Sequence, residues 1–139
     1  MARRRSSPPS SSQRLILDAG AVIALARNDP RARAFVRRAV ELDAQVRVPA
    51  VVLAETLRGT QRDAAVHRVL NAVSDTLPID EMVGRRAGAL LGRAGRSDTV
   101  DAIVVAEAID AGGAEILTGD ATDLTALANG EPSVTIHAL

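Results

Sequence analysis

The sequence predicts an α/β fold in which helices cover a mainly parallel sheet of about four or five strands. Short apolar runs recur along the 139 residues, and each is long enough for a buried strand but too short for a helix. Longer Ala-rich or amphipathic segments separate these runs, as they do in strand–helix–strand units. The chain length suits one domain with a single core.

The predicted domain covers residues 14–139 and follows a tail of Arg, Ser and Pro at 1–13. We expect this tail to be disordered, since it has no apolar residue able to anchor it. Its Arg triplet offers a contact to RNA, but an upstream start codon or an idle extension is the favoured interpretation.

In the first half of the domain, strands end at an acid or a proline, and helices begin at capping residues. Asp29-Pro30, for example, supplies an N-cap and a first-turn proline. The predicted elements are a strand at 15–17, helices at 19–26 and 29–44, a strand at 46–48, and helices at 50–58 and 61–73.

The second half follows the same rules. Asp80 caps a helix that Gly95 follows, either Ser97 or Asp98 caps the next helix, and Gly112-Gly113 ends it. The predicted elements are a strand at 76–79, helices at 80–93 and 98–111, a strand at 115–118, a short helix at 123–128, and a strand at 134–136.

Composition excludes several classes of site. The chain has no Cys and only two His, so thiolate chemistry, disulfides and a His-rich zinc site are excluded. All 17 basic residues are Arg, which removes the lysine of a P-loop and Schiff-base chemistry. Carboxylates remain, and these select hard cations such as Mg²⁺ or Mn²⁺. With one aromatic residue, Phe35, a site that stacks nucleic-acid bases is not expected.

Charge is unevenly distributed although the net charge is zero. Residues 1–96 hold all 17 Arg and nine acids, whereas residues 97–139 hold eight acids and no Arg. Folding these halves together either cancels the imbalance or sets an acidic pocket beside a basic surface, which suits a polyanionic substrate. No apolar stretch approaches membrane-spanning length, and we expect a soluble cytoplasmic protein without a membrane partner.

Four acids stand where a site is expected. Asp18 and Asp120 each follow a predicted strand, at the sheet edge where ligands bind in α/β proteins. Glu55 and Asp101 lie on helices beside apolar residues, which indicates buried acids that need a partner. Each acid also has a structural interpretation. Asp18 is a potential helix cap, Arg58 is a potential ion-pair partner for Glu55, and Asp101 is a potential partner of Asp98 in a capping motif.

These acids sit in four motifs that resemble those of PIN domains, and most closely the VapC type of toxin ribonuclease. The motifs are Leu15-Ile16-Leu17-Asp18, Val52-Leu53-Ala54-Glu55, Val100-Asp101-Ala102-Ile103-Val104-Val105-Ala106 and Leu117-Thr118-Gly119-Asp120. The resemblance covers about residues 14–137 and implies a three-layer α/β/α fold that cuts RNA with Mg²⁺ or Mn²⁺.

Carried over, the resemblance makes Asp18, Glu55, Asp101 and Asp120 catalytic. It makes Asp18, Asp101 and Asp120, with Asp98 in reserve, the ligands of one or two metal ions. Asp98 competes with Asp101 for the third position. Asp123 and Thr118 are accessory, the latter through a hydroxyl offered to water or phosphate. The resemblance also implies a VapB-like antitoxin and a homodimer, for which exposed apolar positions on the helices near 31–40 and 50–57 are candidates.

Arg85, Arg86, Arg93 and Arg96 are candidates to bind the RNA backbone, with solvated or carboxylate-paired side chains as the alternative. A phosphoacceptor receiver domain is disfavoured because the chain has no Lys. A non-catalytic PIN-like binding module and a nuclease acting on DNA remain open alternatives.

Overall fold

Among the residues that the structure describes, five parallel strands form the central sheet, in the spatial order β3-β2-β1-β4-β5. The computed structural model describes residues 14–73 and 75–139, so the predicted tail at 1–13 lies outside the described residues. The strands are β1 (Arg14–Leu17), β2 (Gln45–Pro49), β3 (Asp75–Leu77), β4 (Ala114–Thr118) and β5 (Val134–Ala138).

In the described ranges, seven α-helices connect the strands. They are α1 (Ala19–Ala26), α2 (Pro30–Glu41), α3 (Ala50–Thr56), α4 (Ala64–Ala72), α5 (Glu81–Ala94), α6 (Thr99–Asp110) and α7 (Ala121–Leu127), with a short 3₁₀ turn before α4. Right-handed crossovers place α1 to α4 on one face of the sheet and α5 to α7 on the other. The packing agrees, since α1 contacts α2, α3 and α4, whereas α5 and α7 contact α6. The predicted three-layer α/β/α fold is confirmed.

Most boundaries lie within a few residues of those predicted, and the end of α3 shows why one differs. The predicted helix continues to residue 58, but α3 ends at Thr56. Beyond it, the carboxylate of Asp63 accepts hydrogen bonds from the backbone N–H groups of Arg58, at 2.9 Å, and Gly59, at 2.8 Å. These hydrogen bonds hold the pKa of Asp63 below its usual range. A side chain five residues ahead therefore ends the helix, which local composition did not predict.

Strand β1 is central because its apolar residues are buried on both faces of the sheet. Leu15, Ile16 and Leu17 are each at most 1% exposed. Strand β1 pairs with β4 in a register that sets Leu17 opposite Leu117. The residues that follow these two strands therefore emerge side by side at one edge of the sheet.

Helix α6 is the most deeply buried helix among the described residues. All seven residues from 102 to 108 are buried, because α5, α7 and the sheet surround the helix. Its first turn carries Asp101. No helix in the described ranges has the length and hydropathy needed to cross a membrane.

One buried residue of α6 has an ionisable side chain. Glu107 is 5% exposed, and its Oε2 has no hydrogen-bond partner among the described residues. Burial, together with repulsion from Asp110 and Asp80, raises the pKa of Glu107 to about 7, against a weaker opposing effect of Arg47. Below about pH 7 the folded protein therefore favours the protonated carboxyl of Glu107.

This raised pKa has a consequence for stability. Because the folded protein holds this proton more tightly than the unfolded chain, stability is expected to fall as pH rises from about 4.5 to about 7. Glu107→Gln is expected to stabilise the protein at pH 8 by about 1–2 kcal/mol, after allowance for solvent screening, and to have little effect at pH 4. Urea unfolding at both pH values, with exposed Glu41→Gln as the control, measures this difference. Equal effects at the two pH values would contradict it.

Candidate active site

Four acids line one cleft of about 360 Å³ at the carboxyl edge of the sheet. They are Asp18, Glu55, Asp101 and Asp120. Asp18 follows β1, Asp120 follows β4, Glu55 lies in the last turn of α3 and Asp101 lies in the first turn of α6. The four acids of the sequence motifs are therefore neighbours in the fold, although Asp18 and Asp120 are 102 positions apart in the sequence.

Asp18 is the most buried of the four and is held at both oxygens. It is 5% exposed, and its Oδ1 accepts a hydrogen bond from the backbone N–H of Ala21 at 2.9 Å. The predicted capping role is therefore real and coexists with a position in the cleft. Its Oδ2 accepts a hydrogen bond from the hydroxyl of Thr118. Burial raises the pKa of Asp18, although these hydrogen bonds oppose the rise.

Thr118 joins the two acids that follow strands. Its side chain is fully buried, its hydroxyl donates to Asp18, and the same oxygen accepts a hydrogen bond from the backbone N–H of Asp120 at 2.7 Å. The sequence-based expectation was that this hydroxyl faces water or phosphate. The structure instead turns it inward, because the last residue of β4 points into the core, and Thr118 positions Asp18 and the backbone of Asp120.

Glu55 is exposed, contrary to the expectation of a buried acid. The buried stripe of α3 runs through Val52 and Thr56, and Glu55 falls beside it at the edge of the cleft. Arg58 is not its partner, since the Arg58 guanidinium donates instead to the carbonyl oxygens of Ala54 and Leu57. Within the described residues, the predicted ion-pair alternative for Glu55 is not formed.

Asp101 is half-buried and experiences the charge of every acid around it. Its pKa is raised to about 6, first by burial and then by repulsion from its acidic neighbours Asp120, Asp18, Asp98 and Asp123. The pKa of Asp120, an exposed residue, is also raised, chiefly by a hydrogen bond with the side chain of Asp123. Burial and the nearby acids therefore make the ionised forms of Asp101 and Asp120 less favourable than they are in water.

Asp98 and Asp123 lie beside the cleft and do not line it. One carboxylate oxygen from each, together with one from Asp101, forms a group within 4.8 Å of one another. Asp98 occupies the N-cap position of α6, but its side chain makes no capping hydrogen bond. It pairs instead with Arg96, at 3.1 Å. Asp101 lines the cleft and Asp98 pairs with Arg96, but their carboxylates lie within 4.8 Å of each other, so the choice between them at the third position stays a prediction.

Sequence motifs did not identify the close backbone contact that brings the acids together. A Cβ atom on Gly20, in the first turn of α1, would lie 2.9 Å from the backbone nitrogen of Gly119. Only glycine permits this approach between the segments that follow β1 and β4. The available signal was the glycine found within two residues of each strand-end acid, at Gly20 after Asp18 and at Gly119 before Asp120.

The arginines predicted to bind RNA differ in their surroundings. Arg85 forms an exposed ion pair with Glu81 at 2.7 Å, and Arg96 pairs with the acids beside the cleft. The Nε of Arg86 is buried without a hydrogen-bond partner in the described part of the chain. Arg93 is exposed. The alternative of carboxylate pairing therefore holds for Arg85 and Arg96, and Arg93 is the exposed residue of the set without an ion pair in the described ranges.

The donor set fits a divalent cation. Asp18, Asp101 and Asp120 line one cleft, and carboxylate ligands suit Mg²⁺ and Mn²⁺. The acids whose carboxylate oxygens lie within 4.8 Å of one another are Asp101, Asp98 and Asp123, so Asp101 belongs to both groups. Burial, and then repulsion from the neighbouring acids, raise the pKa of Asp101, and a bound cation would stabilise the ionised carboxylate against both effects.

The PIN domain model matches residues 15–129. The chain belongs to the PIN domain family. The family predicted from the four acidic motifs is thus confirmed.

Solved structures show how far the PIN fold of this chain is shared. VapBC2 from Rickettsia felis, bound to a DNA fragment from its promoter, matches with a TM-score of 0.69 and 12% identity, over 91% of this chain and 98% of the other. A toxin–antitoxin complex from Klebsiella pneumoniae matches with a TM-score of 0.66 and 21% identity, over 90% of this chain and 99% of the other. FitAcB from Neisseria gonorrhoeae matches with a TM-score of 0.62 and 16% identity, over 88% of this chain and 95% of the other. No curated protein matches this sequence significantly. At these identities the structural likeness establishes the fold.

Proposed function

We propose that this PIN domain is a Mg²⁺- or Mn²⁺-dependent endoribonuclease toxin that a cognate antitoxin neutralises. The observation that supports it most is the convergence of Asp18, Glu55, Asp101 and Asp120 on one cleft at the carboxyl edge of a parallel sheet. The chemistry of the donors adds support, because closely packed carboxylates bind a hard cation and attract no anion without one.

In this proposal, Asp18, Asp101 and Asp120 hold the cation. The bound cation supplies Lewis-acid activation of water and of the scissile phosphate. Glu55 is exposed at the edge of the cleft, where its carboxylate can accept a hydrogen bond from the attacking water and orient it. Thr118 keeps the carboxylate of Asp18 in place. Attack by water leaves 5′-phosphate and 3′-hydroxyl ends, since the 2′-hydroxyl takes no part.

The partners in this proposal follow from the fold and the surface. One structural neighbour is described as a toxin–antitoxin complex, and we infer a VapB-like antitoxin for this chain. Val40 and Leu42, at the end of α2, are 56% and 59% exposed and offer apolar surface for a protein partner or for a homodimer.

Cleavage of a mixed RNA pool tests the proposal. The purified protein is incubated with RNA and with single-stranded DNA of matched sequence, in Mg²⁺, in Mn²⁺ and in EDTA. We expect cation-dependent RNA fragments whose 5′ ends accept a linker that requires a 5′-phosphate. Cleavage in EDTA, 2′,3′-cyclic ends, or cleavage of DNA alone would each refute it. The protein must be free of antitoxin, which denaturing purification and refolding ensures.

A further inference from the structure

Arg96 lies between α5 and α6, and its backbone is fixed by the way α5 ends. Gly95 adopts a left-handed conformation with a φ of 65°, and the backbone N–H of Arg96 then donates to the carbonyl oxygen of Leu91 at 3.0 Å. This helix end directs the Arg96 side chain toward the first turns of α6 and α7. The location of the guanidinium is therefore a property of the fold.

The guanidinium bridges two acids that are distant in sequence. Its Nε donates to Asp98 at 3.1 Å, and its Nη2 donates to Asp123, 27 residues away. The Arg96 and Asp123 side chains are each 29% exposed, so the contact is partly shielded from solvent. Both acids belong to the group whose third member is Asp101. A fixed positive charge therefore occupies the place where three carboxylates approach one another.

The side chains of Asp98 and Asp123 are both oriented toward Arg96. Asp98 stands at the N-cap of α6 without capping it, and its side chain turns to Arg96. Asp123 lies in the first turn of α7, with Asp120 and Arg96 as its side-chain neighbours. Neither Asp98 nor Asp123 lines the cleft, whereas Asp101 does.

We propose that Arg96 is a positioning residue that takes the place of a second cation: it binds Asp98 and Asp123, and it leaves Asp101 to the single divalent ion of the cleft. This inference rests on the proposed metal dependence of the site but not on its substrate. It assigns Asp98 and Asp123 to the arginine and sets the number of divalent ions at one per chain.

Counting bound Mn²⁺ tests the assignment without any measurement of cleavage. Isothermal titration calorimetry and the electron paramagnetic resonance signal of free Mn²⁺ are expected to give one ion per wild-type chain and two per Arg96→Gln chain. Melting followed by circular dichroism is expected to show a larger Mn²⁺-induced rise in Tm for Arg96→Gln, by several degrees, because the ion then separates carboxylates that nothing else neutralises. A purely structural arginine would lower Tm equally with and without Mn²⁺.

Two further variants complete the experiment. Arg37→Gln removes an exposed arginine of α2 and is expected to behave like wild type in both measurements. Arg96→Gln combined with Asp123→Asn restores the net charge of the group and is expected to return to one ion. An unchanged ion count in Arg96→Gln, or two ions in the combined variant, would overturn the proposal. If Arg96→Gln folds only with Mn²⁺ the proposal is supported, and if it stays unfolded with Mn²⁺ the proposal fails. If the wild-type protein cleaved no RNA, the proposed function would be refuted, but the expected numbers of bound Mn²⁺ ions would not change.

Discussion

Asp101→Asn is expected to reduce RNA cleavage by more than about 100-fold and, at the same time, to stabilise the metal-free protein. The loss is expected because removing a residue that only hydrogen-bonds to a metal ligand lowers metal affinity or activity by about 10–100-fold. Asp101 is proposed as a ligand itself, so its removal should cost more. The gain follows because Asp101 is half-buried and repelled by four neighbouring acids, which raises its pKa to about 6. Removing this charge at pH 8 is expected to contribute roughly 1 kcal/mol, after allowance for the partial exposure of the side chain.

Opposite signs for activity and stability distinguish a ligand from a structural residue. Cleavage rates in Mg²⁺ and urea unfolding in EDTA measure the two effects on the same preparation. Glu41→Gln removes an exposed acid on α2 and should change neither quantity by much. A destabilised Asp101→Asn protein would indicate that the carboxylate supports the fold, and the metal assignment would then lose its main residue.

Gly20→Ala is expected to destabilise the protein by about 1–3 kcal/mol and to lower activity with it. The added Cβ would meet the backbone of Gly119 at 2.9–3.0 Å, and backbone atoms have no alternative rotamer. The segments after β1 and β4 must then separate, and the hydrogen bond between Thr118 and Asp18 lengthens. Loss of cleavage should exceed the loss explained by unfolding alone, because the carboxylates themselves move apart.

Gly88→Ala is the matched control for this substitution. A Cβ on Gly88, in the middle of α5, meets no atom within 4 Å in the described residues apart from its chain neighbours and the backbone of its own helix. Alanine is the better helix former, so this variant is expected to gain about 0.5–1 kcal/mol. Thermal melting of both variants, with cleavage rates measured well below each Tm, tests the pair. Similar stabilities for the two variants would contradict the close backbone contact.

The strands, the helices and the two strand-end acids were predictable because they depend on local pattern. Asp18 and Asp120 each end an apolar run, and parallel strands bring such residues to one edge. Glu55 was predicted incorrectly as buried, since Val51 and Val52 precede it at helical spacing. The structure shows that α3 buries the pair Val52 and Thr56 instead. In a helix of seven residues, the packing partner determines the buried face, and the sequence of α3 does not contain that partner.

Pairings between distant residues were the least predictable part of the site. Arg96 looked like one of several arginines on a basic face, and nothing in its neighbourhood indicated Asp123 as a partner. Thr118 was expected to face the substrate, but its position as the last residue of β4 turns it into the core. The inward or outward direction of a strand residue depends on the register of the strand in the sheet, which only the folded topology sets.

The hydrogen bond between Thr118 and Asp18 also sets when the site forms during folding. The two residues are 100 positions apart, and β1 acquires its neighbour β4 only through a contact of that sequence separation. Closing so long a loop carries an entropic cost that must be met before the contact contributes any energy. A chain emerging from the ribosome therefore has Asp18 and Glu55 long before it has a complete cleft. Under the proposed function, such a chain is expected to gain nuclease activity only after synthesis has passed Asp120. A partner that binds the first 100 residues would then encounter the chain before it becomes active.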